Sequence, residues 1–145
     1  MSCLLRASGQ HFDVDEFLKV SSLDALAVFH RGEGKASGSV ITQRRSDYSG
    51  VSVRVSLREF SDLVHQIEDA VEFLESNDKE LKRLRDSPGV ERIDLDFSLE
   101  DRDLVFQSDA FPPRLLSLLG SLRIGLVVSR HPAYRAAEDQ PAIEQ

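Results

Sequence analysis

The fold is decided by one stretch of the sequence, Ser56–Asp86, which reads SLREFSDLVHQIEDAVEFLESNDKELKRLRD. Its apolar residues recur at intervals of three and four, which at 3.6 residues per turn places them along one side of an α-helix. The residues of this stripe are Phe60, Leu63, Val64, Ile67, Val71 and Leu74. Because such a stripe must be buried, we predict one long amphipathic helix against which a β-sheet packs.

The two ends of this helix carry separate signals. Ser56 and the glutamate three residues later have the spacing of a capping box, in which each side chain accepts a hydrogen bond from a backbone N–H. Pro88 and Gly89 end the helix. Asp78 falls at the centre of the stripe, where an unpaired carboxylate is costly. Two interpretations are open: the helix restarts with Asn77 as a new N-cap, or its last turns extend beyond the sheet, which we favour.

Length and composition favour a single soluble domain. A chain of 145 residues fits one domain, which we expect to span residues 1–132, followed by an acidic, disordered tail over residues 133–145. The single cysteine, Cys3, excludes an intramolecular disulfide and a multi-cysteine metal site. The sequence has neither the apolar segment of a signal peptide nor the ~18 apolar residues of a membrane span. We therefore expect a cytoplasmic protein without membrane contact.

The charge balance bears on the class of partner. Lysine and arginine number 18 against 25 aspartate and glutamate residues, which gives a net charge of −7. Nucleic-acid binding depends on neutralising phosphate charge, so this balance argues against it. A basic or neutral protein is a more natural partner.

The rest of the chain alternates between strand and helix patterns. Apolar residues alternate with polar ones over 51–55 and 93–99, which is typical of strands with one wet face. Further strands are predicted at 3–8, 26–31, 39–43, 104–107 and 124–128, and further helices at 13–20 and 112–120. The order is β-α-β-β-β-α-β-β-α-β. It predicts an α+β fold, a two-layer sandwich of a mixed, largely antiparallel sheet with its helices packed on one face.

The sequence also predicts how some of these strands are connected. Strands 39–43 and 51–55 are predicted to pair as a hairpin with a long tip, and Gly32–Gly38 is predicted to be a flexible loop. Strand 104–107 is more continuously apolar than the alternating strands, which places it nearer the centre of the predicted sheet.

No catalytic motif is complete in the sequence. Gly32–Gly38 contains Gly-x-Gly-Lys but lacks the glycine spacing, the Ser or Thr and the helix of a P-loop. Ser108 beside Asp109 lacks the glycines of a nucleophile elbow, and either residue is better explained as the cap of the next helix. The histidines lack the spacing of metal ligands; they are His11, His30, His65 and His131. We therefore predict no enzyme activity, no cofactor and no metal site.

Acidic side chains crowd one flank of the long helix. We call this group the acidic flank; it comprises Glu68, Asp69, Glu72 and Glu75. The carboxylates of Glu68 and Glu72 repel one another at a spacing of i,i+4, which costs stability. A basic partner would relieve this repulsion, so the acidic flank is a candidate binding surface.

Two further polar groups are candidates for binding a partner. The first lies on the wet face of the sheet and comprises Arg54, Asp94 and Asp96. The second follows strand 39–43 and comprises Arg44, Arg45 and Tyr48. Paired carboxylates can perform acid–base chemistry, and arginine beside an aromatic ring can contact RNA or an acidic protein surface.

Three segments of the chain, residues 9–18, 84–91 and 106–116, resemble a family of small bacterial proteins catalogued as a domain of unknown function. The likeness covers about residues 1–132, and its motifs fall at caps and core positions. The resemblance therefore implies a fold and no catalytic residues. The small, acidic, single-domain chain is also similar to immunity proteins of bacterial toxin systems, which bind and block a cognate toxin.

These observations lead to one expected function and two alternatives. We expect a protein that acts by binding another protein, as an immunity factor does with its toxin. The first alternative is a small-molecule-binding protein or enzyme that uses Arg54, Asp94 and Asp96 on the wet sheet face. The second is RNA binding through Arg44 and Arg45.

Overall fold

The computed structural model describes residues 1–37 and 40–133 of the chain, except for the side chains of residues 34–45. Its helices and strands are β1 Cys3–Gly9, α1 Val14–Leu18, β2 Ala25–Phe29, β3 Gly34–Ser37, β4 Val40–Arg45, β5 Ser49–Ser56, α2 Leu63–Ser76, α3 Asp78–Arg85, β6 Arg92–Glu100, α4 Pro113–Leu122 and β7 Gly125–His131. The predicted tail lies outside the described residues from position 134 onward.

The main sheet has five strands in the order β2-β5-β1-β6-β7. All neighbouring strands are antiparallel except β6 and β7, which run parallel and are connected through α4. A parallel pair needs such a crossover because a tight turn can join only antiparallel strands. The predicted α+β sandwich with a mixed, largely antiparallel sheet is thus confirmed.

The core lies between one face of the sheet and the helices. Leu5, Val53 and Leu95 stand opposite one another on β1, β5 and β6, and all three are buried. Leucines from the helices fill the other side of the core; the fully buried ones are Leu74, Leu81, Leu84, Leu115 and Leu122. Burial alternates along the central strands because successive side chains point to opposite faces of a sheet.

The predicted long helix begins later in the structure than we expected. Ser56 is the last residue of β5, so the predicted capping box is wrong. The N-cap of α2 is Asp62, whose carboxylate accepts a hydrogen bond from the His65 N–H over 3.3 Å. Phe60 lies before the helix and stacks on His131 with 4.9 Å between ring centroids.

The buried face of α2 is also rotated from the predicted stripe. Gln66, Ala70 and Leu74 are the buried residues of α2, whereas Val64 is 66% exposed. The buried Gln66 amide is satisfied only in part: its Nε2 donates to two backbone carbonyls, at 2.9 Å and 3.3 Å, whereas its buried Oε1 has no hydrogen-bond partner among the described residues. Ile67 is only partly buried, at the border of the core.

A break at Asn77 divides the predicted long helix in two. The restart interpretation is therefore correct, and the favoured extension beyond the sheet is wrong. Asn77 makes no side-chain cap, and its Nδ2 instead donates to the Phe73 carbonyl at 2.8 Å. Asp78 escapes burial and pairs with Lys82 over 2.8 Å. After the break, α3 buries its two leucines, Leu81 and Leu84, in the core.

The predicted hairpin and loop before β5 are wrong. β4 pairs with β3 in a separate two-stranded sheet, whereas β5 lies between β1 and β2. Gly32–Gly38 is therefore not a plain loop, since β3 occupies Gly34–Ser37. Val51 and Val53 are both buried, so β5 has the apolar row of a strand inside the main sheet.

The ends of α4 differ from the prediction as well. Pro112 occupies the N-cap position and Pro113 the first turn, where the missing N–H of proline costs nothing. Neither Ser108 nor Asp109 caps this helix. The helix continues past Gly120 to Leu122, and its C-cap, Arg123, adopts the left-handed conformation with a φ of 56°.

No helix among the described residues is both long enough and apolar enough to cross a membrane.

Candidate functional site

Part of the acidic flank borders an apolar groove between α2 and α4. The groove has a volume of about 400 Å³. Its apolar lining includes Ile67 and Val71 from α2 and Pro112 from the start of α4. The acidic residues that line it are Glu68, Glu72 and Glu75. We refer to this feature as the α2/α4 groove; it combines an apolar floor with an acidic rim.

Two of the four residues of the acidic flank, Glu75 and Asp69, have side-chain partners among the described residues. Glu75 forms an ion pair with Arg114 across the groove. Asp69 does not line the groove: its carboxylate accepts hydrogen bonds from the Ser56 hydroxyl at 2.7 Å and from the Arg58 guanidinium at 3.2 Å. Partial burial opposes its ionisation, but these two hydrogen bonds lower the pKa of Asp69. Asp69 thus joins α2 to the end of β5.

On the wet face of the sheet, the structure corrects one expectation. Asp96 was expected to be solvated, yet it is only 4% exposed. Its carboxylate pairs with Arg6 over 2.7 Å and accepts a hydrogen bond from the Ser129 hydroxyl over 2.8 Å. Asp94 pairs with Arg92. These partners join β1, β6 and β7 across the face.

Arg54 lies on the same face of the sheet as Asp94 and Asp96. It is exposed and stands opposite Leu4 on the neighbouring strand. Both carboxylates are engaged by other arginines, so the three predicted residues do not form one cluster with Arg54 at its centre. As arranged, the wet face is a row of ion pairs rather than a pair of free carboxylates available for acid–base chemistry.

The two most exposed large apolar side chains among the described residues, Val105 and Phe106, lie side by side in the loop between β6 and α4. Val105 is fully exposed, Phe106 is 81% exposed and Leu104 is 61% exposed. The predicted central strand at 104–107 is therefore wrong. We call Leu104–Phe106 the apolar tip. Three adjacent large apolar side chains in solvent are unusual for the surface of a soluble protein and are typical of a binding site.

The base of this loop is closed by polar side chains. Gln107 donates to the Asp101 carboxylate at 2.8 Å and accepts from the Arg102 backbone N–H at 2.9 Å. Arg102 and Arg130 both form ion pairs with Asp109. These contacts hold the two ends of the loop together, so the apolar tip is presented from a fixed base.

The sequence contains a signal for this loop. Asp101, Arg102 and Asp103 precede the apolar tip, and Gln107, Ser108 and Asp109 follow it. A three-residue apolar run is short for a strand, and polar residues on both sides are also typical of loops. Apolar character alone does not separate a buried strand from an exposed tip, which is why the prediction failed.

The remaining sequence candidates are dispersed. The side chains of Arg44 and Arg45 lie outside the described residues. Tyr48 is 44% exposed, in the turn between β4 and β5. Cys3 is fully buried on β1, where burial above all, together with the negative charges of Asp96 and Asp69, raises the pKa of its thiol. Cys3 is therefore a core residue rather than a nucleophile.

His30 has two carboxylate partners. Its Nε2 lies 2.8 Å from Asp15 on α1, and its Nδ1 lies 2.9 Å from Glu33. These hydrogen bonds, with Asp15 as the largest cause, raise the pKa of His30 above the ordinary value of 6.5. Through its hydrogen bond to Asp15, His30 connects α1 to the end of β2.

Within the described part of the chain, no group of three or more side chains suited to holding a metal is found.

We expect His30 to make stability depend on pH. Since the pKa of His30 is higher in the folded than in the unfolded chain, its protonation stabilises the fold below about pH 6.5. That contribution disappears as the pH rises through the folded pKa. The wild type should therefore lose more stability than His30→Gln over this rise, as measured by thermal unfolding at a series of pH values.

The matched control for this experiment is His11→Gln. His11 is exposed, and no ion pair is found for it among the described side chains. The change that His30→Gln makes in the pH profile should exceed the change made by His11→Gln. Identical pH profiles for the His30→Gln protein and the wild type would contradict the assignment, as would an NMR titration of the His30 ring with its midpoint below about 6.5.

The chain matches no protein-family model, no curated protein and no solved structure. The fold defines it as a two-layer α+β sandwich, and its surface offers the apolar tip, the α2/α4 groove and the wet sheet face as sites. The geometry of these three surfaces is therefore what bears on the function of the chain.

Proposed function

We propose that this chain is a protein-binding module whose apolar tip anchors the partner. The observation that carries the proposal is the exposure of Leu104, Val105 and Phe106 above a base closed by ion pairs. Large apolar side chains that fill a pocket of a partner supply much of the binding energy at protein interfaces. A tip fixed at its base loses little conformational freedom on binding, which favours affinity.

The charge around the apolar tip favours a protein over a membrane as its target. Asp101 and Asp103 stand just before the tip and are exposed, whereas the arginines at the base of the loop, Arg102 and Arg130, are both paired with Asp109. Segments that insert into lipid are typically flanked by lysine or arginine, because membranes carry anionic lipids. A net charge of −7 adds to the repulsion from such a surface. A partner with an apolar pocket and basic surroundings fits this tip better.

We further propose that the partner is a toxin that the chain neutralises, as an immunity protein does. This part is supported by the acidic balance of the chain, which suits a basic partner. The alternatives of an enzyme and of an RNA-binding protein have less support. Asp94 and Asp96 are already paired with arginines, and the net negative charge opposes binding to phosphate.

The proposal is tested by replacing the anchor. The double variant Val105→Ser, Phe106→Ser should bind the partner at least about tenfold more weakly than the wild type, because it removes two apolar side chains of the anchor. Stability should change little, since both side chains are exposed. Tagged wild type and variant are used in parallel to recover partners from the native host, and affinity is measured for the protein identified.

The matched control is Val20→Ser, which removes an exposed apolar side chain after α1, away from the loop. It should retain the affinity of the wild type. Expression of the identified partner should arrest growth, and co-expression of the wild type but not of the double variant should restore it. Recovery of no stoichiometric partner, or equal affinity for both proteins, would contradict the proposal.

A further inference from the structure

We propose that the α2/α4 groove takes an amphipathic helix of the partner whose polar flank is basic. This inference rests on the proposed function only in that the occupant belongs to a protein. It is carried by a different surface from the apolar tip. Peptide helices commonly dock in this way, with their apolar face in a groove between two helices of the host.

The floor and length of the groove fit a short helix. Ile67 and Val71 lie one turn apart on α2 and are both only partly buried, so each has an apolar surface left to cover. Pro112 closes the floor from the side of α4. The α2 residues that line the groove run from Ile67 to Ser76, which is roughly 15 Å along the helix axis and matches about three turns of a docked helix.

The acidic rim specifies the charge of the occupant. Glu75 already has a cation, Arg114. Glu68 and Glu72 line the groove on the same side, and no ion pair is found for either among the described side chains. They lie one turn apart, so their carboxylates repel one another. Lysine or arginine residues on successive turns of the docked helix would form ion pairs with both carboxylates.

The occupant is better sought in another protein than in a second copy of this chain. The described part of the chain does contain a basic helix, α3, which carries Lys82, Arg83 and Arg85 in its last turn. Its apolar residues, Leu81 and Leu84, are buried in the core of their own chain and cannot enter a groove. Two copies with a net charge of −7 each also repel one another.

The experiment uses a defined probe, a synthetic peptide of about 15 residues built from leucine and lysine at helical spacing. Its affinity is measured by calorimetry, and the site is mapped from NMR shifts of the Ile67 and Val71 methyl groups. We expect those two residues to shift first. The double variant Glu68→Gln, Glu72→Gln should bind the peptide about tenfold more weakly, since each charge pair contributes a modest free energy at an exposed site.

Two controls distinguish binding of the peptide in the groove from nonspecific electrostatic attraction of the basic peptide to an acidic protein. The double variant Asp24→Asn, Glu91→Gln removes the same charge from exposed sites outside the groove, and it should bind within about twofold of the wild type. A peptide of the same composition with its leucines spread around the helix should bind at least about tenfold more weakly, because it lacks an apolar face.

Equal binding of the two peptides would overturn the proposal, as would equal losses in the two double variants or shifts that avoid Ile67 and Val71. The outcome is independent of the apolar tip. The Val105→Ser, Phe106→Ser protein should bind the peptide like the wild type, because neither side chain lines the groove. If the apolar tip proves not to anchor a partner, binding of the peptide in the groove would still be expected. If the peptide does not bind in the groove, the proposed role of the apolar tip is unaffected.

Discussion

The variant Gly9→Ala should lose about 3 kcal/mol of unfolding free energy or more, at the upper end of the range for overpacking. Gly9 is the last residue of β1. There the backbone of β1 crosses the backbone of the turn between α3 and β6, and we refer to this close approach as the crossing. A β-carbon there would overlap the carbonyl oxygen of Gly89 and lie 3.2 Å from the Glu91 nitrogen. These atoms belong to backbone, so no side chain can rotate away to relieve the overlap.

The same crossing requires glycine at its other side. Gly89 has a φ of 86°, which side chains rarely adopt. A β-carbon there would also lie 2.5 Å from the His11 carbonyl carbon and 2.7 Å from the Phe12 nitrogen. The crossing lets the Glu91 N–H donate to the Ser8 carbonyl at 3.0 Å. It therefore sets the start of β6, the strand that leads to the loop with the apolar tip.

The control variant, Gly120→Ala, is expected to change the free energy of unfolding in the opposite direction. Gly120 lies inside α4, and a β-carbon there would meet no atom within 4 Å. Gly120→Ala should stabilise the chain by about 0.5–1 kcal/mol, because alanine restricts the unfolded chain and favours helix. Urea unfolding of the two variants and the wild type measures both effects. A loss below about 1 kcal/mol for Gly9→Ala would show that the two backbone segments can separate easily.

The fold class could be predicted from the sequence because it depends on periodic patterns. Alternation along β5 and β6 places their apolar residues on one face whatever lies beside them. The cap of α1 was also predictable, since Asp13 accepts a hydrogen bond from the Glu16 N–H as its position indicates. Pro88 and Gly89 marked the exit from α3 for a local, steric reason.

The candidate sites depended on tertiary contacts that no local pattern contains. Glu68 and Glu72 were identified as a charged flank, but the groove beside them needs Pro112 from another helix. From the sequence, Asp96 is expected to be solvated. In the structure, neighbouring strands place Arg6 and Ser129 beside its carboxylate. An alternating pattern gives the face of a side chain and not its neighbours.

The variant Leu74→Ala should lose about 3 kcal/mol of unfolding free energy, within the range found for buried leucines. Leu74 is fully buried on α2, so its removal leaves a cavity among the core side chains. Val64→Ala removes a side chain from the same helix that is 66% exposed, and it should change stability by less than about 0.5 kcal/mol. Thermal and urea unfolding of both variants measure the contrast.

This pair tests the rotation of α2 on which the groove proposal depends. The apolar stripe of the sequence places Val64 and Leu74 on one buried face, whereas the structure buries Leu74 beside Gln66 and Ala70. Equal losses for the two variants would mean that α2 is turned toward the stripe. Ile67 and Val71 would then be buried more deeply, and the apolar floor between α2 and α4 would no longer be open to a partner helix.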